Sequence, residues 1–208
     1  MHSRVLSLAL LLLAVFAGSG VAQDRMPPIA AAALTDAQRK AVEEFKAARA
    51  ADLSGPFVPL LRSPEVMSRA RAMGDYLRFR SALPPRLSEF VILLIARRWT
   101  QQYEWNAHEP LARQAGVRGD IVAAIADGRR PDQMAADEEA LWTLVDEVHR
   151  NQSVSDAAYA KAVASVGEQG VIDTLGLCGY YTMLAMVMNT TRTPLPPGQK
   201  PALTPFPR

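Results

Sequence analysis

The chain has 208 residues, 49% of them hydrophobic, enough for one globular domain with a sizeable core and too apolar for a disordered protein. A formal net charge of +2, with no run or stripe of Lys and Arg, argues against nucleic acid as a partner. Cys178 is the single cysteine, so neither an intrachain disulfide nor a CxxC redox pair can form.

Near the start stand Arg4, the apolar run VLSLALLLLAVF at 5–16 and then GSGVA, which puts Gly20 and Ala22 where a signal peptidase reads. This predicts a cleavable signal peptide over 1–22, with cleavage after Ala22. A retained N-terminal anchor is the alternative, but the run is short for a span, which takes about 20 apolar residues. The mature protein is expected to be periplasmic or secreted and free of the membrane. Residues 23–34 read as a flexible N-terminal segment.

From residue 35 the periodicity is helical, with no alternating strand pattern and no internal repeat. ALTDAQRKAVEEF opens with Thr35 as N-cap and Gln38 three residues on, a capping box. SPEVMSRARAMGDYL puts Ser63 at an N-cap and Pro64 at the first helical position. Val66, Ala70, Met73 and Leu77 then share one stripe. PPRLSEFVILLIARRW predicts a buried helix, and a further helix spans 101–115 and stops at Gly116. GDIVAAIADG is a short helix ended by Gly128. DEEALWTLVDEVHR has acids in its first turn and a basic end, which suits the helix dipole, with His149 as a solvated cap. Ser155 caps SDAAYAKAVASV. Residues 171–188, apolar on nearly every face, read as a central helix or one buried between subunits, in which Cys178 is a small buried hydrophobe. From Pro194 six prolines predict an extended tail over the domain or a neighbour. The expectation is an all-α domain of about seven or eight helices over 35–193, followed by a Pro-rich tail at 194–208.

Gln101, Glu104 and His108 carry the chemistry of interest. Spacings of three and four place them on one helical face. A carboxylate beside an imidazole favours the protonated ring or fixes its tautomer, as general acid/base work requires. Glu89 interrupts the apolar run LSEFVILLIA and needs a partner or a raised pKa. Glu89 and His108 meet only if the helix breaks near Thr100, a plausible N-cap for the next one. The plain alternative is a solvated Glu–His pair on a helix surface. Two carboxylates and one imidazole suit several divalent ions, yet no second histidine is near, and no metal is expected. Signatures of a Ser/His/Asp nucleophile, a phosphate-binding glycine loop and haem attachment are missing, and no cofactor is expected.

GPFVPLLRSPEVM, then LPPRLSEFVILLIARRWTQQYEWNAHEPLARQAGV, then an apolar helix ending in PLPPG, resembles the carboxymuconolactone decarboxylase family, which includes the AhpD-like alkylhydroperoxidases. The resemblance runs over roughly residues 40–200 and is most specific at 83–117. The AhpD-like pattern is a Glu, a CxxC twelve residues on, and a His four past the second Cys. Glu89 and His108 hold the proton-relay positions of that frame, while Gln101 and Glu104 stand where the thiols would be. An amide and a carboxylate can neither attack a peroxide nor resolve the product, so thiol peroxidase chemistry is not expected.

The resemblance implies an all-α protomer around an antiparallel helix pair, assembled as trimers or hexamers. It also implies an acid/base enzyme on a small organic acid or lactone, a lyase without cofactor. His108 would transfer the proton, Glu104 would orient it or carry a second proton, and Glu89 would tune the pair. Gln101, Tyr103 and Trp105 would line the pocket, with Arg97 or Arg98 on a substrate carboxylate. Other readings are a non-catalytic oligomeric binding protein on the same scaffold, a family-style peroxidase, and a peroxidase using Cys178 alone.

Overall fold

The computed structural model describes residues 23–206, so the signal peptide expected at 1–22 lies outside them. Eight α-helices and no strand occur among the described residues: α1 (Asp36–Arg49), α2 (Phe57–Leu60), α3 (Pro64–Phe79), α4 (Pro85–Arg98), α5 (Gln102–Gln114), α6 (Gly119–Ala126), α7 (Ala136–Asn151) and α8 (Asp156–Thr191). The Thr35/Gln38 capping box closes the start of α1, and the Ser155 hydroxyl accepts from the backbone of Ala158 at the start of α8. The two helices expected on either side of Gly167 are one element with a kink there, at φ +72°, a conformation glycine adopts without a Cβ penalty.

α4 is the axis of the core. Its run Phe90, Val91, Ile92 and Leu93 is wholly buried, because α5, α7 and α8 all pack around it. Each such side chain contributes roughly 1.5–3 kcal/mol relative to leaving it in water. α8 supplies the second apolar surface through Leu177, Tyr181, Leu184 and Met188. By length and composition α8 is apolar enough to cross a membrane, but more than half of its most apolar window is buried inside the domain. Asp173 explains how an acid fits there. Its carboxylate accepts from the Tyr76 hydroxyl at 3.1 Å and from the backbone N–H of Ala82 at 2.8 Å. Asp173→Ala takes the acceptor from both donors, of which Tyr76 is half-buried and Ala82 exposed. It is expected to cost about 1–3 kcal/mol, measured by urea unfolding.

Three expectations are corrected. In α3 the buried face is Met67, Ala70, Gly74 and Leu77, while Val66 and Met73 are more than 40% exposed. The register turns because Tyr180 fits against bare Gly74, where a Cβ would lie 2.3 Å from the Tyr180 hydroxyl. His149 is half-buried, not a solvated cap. Its Nδ1 lies 2.7 Å from the Val145 carbonyl oxygen, and burial lowers its pKa. The 23–34 segment, read as flexible, is tied to α8: the Arg25 backbone N–H donates to the Thr191 carbonyl at 2.8 Å and its guanidinium to that of Thr190 at 3.0 Å.

The Pro-rich tail crosses the domain as an extended chain. The Gln102 amide clasps it, donating to the Leu203 carbonyl at 2.7 Å and accepting from the backbone of Ala202 and Leu203. Leu203 is buried beneath it.

Candidate active site

The site begins where α4 turns back as α5. The backbone N–H of Gln101 reaches the Ala96 carbonyl at 2.8 Å, and that of Thr100 reaches Arg97 at 2.9 Å. This is a Schellman ending, and it puts Thr100 in the left-handed region at φ +46°. Thr100 is thus the closing residue of α4 and not the N-cap of α5. The cap is Gln101, whose Oε1 accepts from the backbone N–H of Tyr103 at 2.6 Å and of Glu104 at 3.4 Å. Asn189 of α8 bolts the turn. It accepts from the Gln101 amide at 2.9 Å and donates to the Trp99 carbonyl at 3.1 Å.

That turn brings α5 beside α4, and His108 Nδ1 lies 2.7 Å from Glu89 Oε2, both side chains nearly buried. On the other edge of the ring the Tyr181 hydroxyl lies 3.2 Å from Nε2, and the two rings meet edge to face. Burial pushes the Tyr181 phenol well above its usual range, so it stays a donor near neutral pH. With Tyr181 donating to Nε2, Nδ1 is the nitrogen that carries the hydrogen and gives it to Glu89. Glu89, His108 and Tyr181 form one hydrogen-bonded chain from three helices.

The chain ends on a cavity of about 210 Å³ lined by His108, Tyr181, Tyr180, Glu104, Arg49 and Arg78, with Tyr103, Phe57 and Leu184 among its other walls. Glu104 is 3% exposed, and neither carboxyl oxygen has a hydrogen-bond partner among the described residues. Burial therefore raises its pKa well above the carboxylate range and favours the neutral acid. The hydrogen bond expected between Glu104 and His108 is not formed, because Glu89 and Tyr181 occupy both ring nitrogens.

The two cavity arginines differ. Arg49 grips Asp75 through Nε and Nη2 at 3.0 and 2.8 Å. Arg78 has no carboxylate partner among the described residues, and its buried Nε makes no hydrogen bond.

Of the other residues singled out, Tyr103 lines the cavity, while Trp105 is buried in the core and Gln101 serves the turn. Arg97 and Arg98 lie elsewhere. Arg97 donates to the Thr204 carbonyl of the tail at 2.8 Å, and Arg98 to the His149 carbonyl at 2.9 Å. They point away because α4 presents Glu89 on its α5-facing side and its last turn to the tail and α7. Among the described residues no three His, Cys, Asp or Glu side chains gather in a metal-holding group. Sequence reasoning missed Tyr181, Arg78, Arg49 and Asn189. The one visible signal was the Tyr180–Tyr181 pair in an otherwise apolar helix, since a buried tyrosine hydroxyl seeks a partner.

The sequence profile of the carboxymuconolactone decarboxylase family matches residues 64–147, the stretch holding Glu89, Gln101, Glu104 and His108. No curated protein matches the chain in sequence. Among solved structures, the chain is similar to an uncharacterized peroxidase-related protein from Ralstonia eutropha JMP134 with an alkylhydroperoxidase AhpD core. The TM-score is 0.67 and the identity 16%, over 83% of this chain and 92% of that one. It is also similar to a protein of unknown function from Agrobacterium tumefaciens, described as a candidate antioxidant defence protein AhpD. There the TM-score is 0.54 and the identity 17%, over 66% of this chain and 94% of the other. At such identities the likeness establishes the all-α AhpD-like fold. Over the helices of residues 64–147, the chain is similar to the carboxymuconolactone decarboxylase family.

Proposed function

We propose that the protein is an acid/base enzyme that decarboxylates or isomerises a small organic acid or lactone, without thiol chemistry. The observation that carries this is the buried Glu89–His108–Tyr181 chain, which ends on a cavity where Arg78 and Glu104 both lack partners. Arg78 holds the substrate carboxylate, since an unpaired guanidinium matches two oxygens in one plane. His108, reached through Tyr181, takes and returns a proton at carbon, and Glu89 stabilises the imidazolium formed. Glu104, as the neutral acid, gives a proton to the developing enolate oxygen. In decarboxylation the carbon–carbon bonding pair passes to the conjugated carbonyl as CO2 leaves, and the Glu104 proton quenches the enolate. In isomerisation the proton taken by His108 is put back on a second carbon. Cys178 has no part: it is buried, its thiol is pushed up to about 12, and the sequence offers no second cysteine.

The test is incubation in D2O with 4-carboxymuconolactone and a panel of unsaturated lactones and keto acids, followed by NMR for deuterium at carbon and for loss of CO2. Exchange or CO2 release in the wild type is expected. Arg78→Met is expected to raise KM at least tenfold with a smaller change in kcat, because it removes binding rather than proton transfer. A wild type that binds these acids yet exchanges none would favour the non-catalytic binding protein. Export, supported by the apolar run at 5–16, and homo-oligomerisation, supported by the exposed Ile172 and Met186 on α8, complete the proposal. Light scattering of the mature chain decides the latter.

A further inference from the structure

A second cavity, of about 220 Å³, shares no lining residue with the first. It lies between the last turn of α4, α6, α7 and the C-terminal tail. Leu94, Ile125, Trp142 and Val145 give it apolar walls, Phe206 of the tail is another wall, and four arginines, 97, 98, 129 and 130, stand around it.

The charges do not cancel. Arg129 pairs with Asp127 at 3.0 Å and Arg130 with Glu139 at 2.7 Å, while the Asp146 carboxylate is taken by Arg150. Arg97 and Arg98 have no carboxylate partner among the described residues. Arg97 is 6% exposed. Its guanidinium lies over the Phe206 ring at 3.6 Å and makes one hydrogen bond, to the Thr204 carbonyl, while its buried Nε makes none. Asp127 acts on Arg97 only from beyond ion-pair distance, and Asp146, which also lines the cavity, is held by Arg150; a buried cation with no acid in contact is costly, and a bound anion offsets that cost.

We infer that this cavity is a binding site for a small carboxylate with an apolar body, such as an arene carboxylate. Arg97 and Arg98 hold the carboxylate, and Trp142, Ile125 and Leu94 receive the body. The volume lies below the roughly 300–1,000 Å³ of drug-sized sites, which restricts the ligand to something of benzoate size. The apolar walls disfavour inorganic phosphate, which has no surface to bury there. Gly128 makes room for the Phe206 wall: a Cβ on it would lie 2.6 Å from that ring. The site stands independently of the chemistry at His108.

The experiment is titration of the mature protein with benzoate, followed by tryptophan fluorescence and by saturation-transfer NMR. Trp142→Phe assigns the fluorescence signal. Saturable binding at millimolar benzoate is expected. It should weaken at least tenfold in Arg97→Met and in Arg98→Gln, stay unchanged in Arg78→Met, and resist equimolar phosphate. If Arg97→Met does not fold by circular dichroism, Arg98→Gln carries the test. Three results overturn the inference: no saturable binding, binding that depends on Arg78 but not on Arg98, or equal competition by phosphate.

Discussion

A His108→Gln variant is expected to lose about 10²–10⁴-fold in turnover of whichever substrate the wild type accepts, the usual contribution of a positioned acid or base. Glutamine is chosen because it fills the buried space with a neutral amide that carries both a donor and an acceptor. What it lacks is a nitrogen that takes up and gives back a proton near neutral pH. The helical circular dichroism and the unfolding midpoint should therefore change little while kcat falls. Tyr181→Phe should lose a comparable amount, because it removes the hydroxyl, 3.2 Å from Nε2, through which the imidazole reaches the substrate. Undiminished turnover in His108→Gln would remove His108 from the chemistry and, with it, the proton chain.

How much of this was legible in the sequence depended on whether the cause was local. Helix starts and stops come from neighbouring residues, so the Thr35/Gln38 box, the Ser155 cap and Gly116 after α5 could be read directly. The partnership of Glu89 with His108 was also accessible, since the frame from 89 to 108 spans only one turn between two helices. Side chains supplied by distant helices were not. Tyr181 lies 73 residues beyond His108, and its approach depends on how α8 packs over α4. Arg78 sits at the end of a helix whose register was misjudged, because no periodicity rule shows that Tyr180 fits against Gly74. Arg97 was chosen for its nearness to the motif in sequence. Fourteen-residue α4 carries Glu89 to one neighbour and Arg97 to another, so nearness along the chain said nothing about a shared cavity. Thr100 was placed at the right break in the wrong role, because a β-branched residue at positive φ is an unusual choice that the Gln101 cap and Asn189 enforce.

Glu104→Gln is expected to stabilise the protein at alkaline pH and to have little effect in acid. The sign follows from burial. Its folded pKa is raised well above the unfolded value, so the folded state holds a proton that the unfolded state releases. Wild-type stability is then intact below about pH 4, the unfolded range, and is lost as pH rises towards the folded pKa. The loss amounts to about 1.4 kcal/mol for each pH unit between the two values. Glutamine has nearly the same shape and cannot ionise, so the gap between variant and wild type should widen with pH and level off above the folded pKa. Urea unfolding at several pH values measures it, and a gap that does not vary with pH would show that Glu104 does not titrate from a buried, neutral state. Activity separates the two reasons for having such a residue. An amide can fill the space but cannot donate an acidic proton to an enolate oxygen. A variant that is more stable and inactive would make Glu104 a catalytic acid maintained at a cost to the fold. A variant that is more stable and fully active would leave the proton chain through His108 and Tyr181 as the sole acid/base device of the cavity.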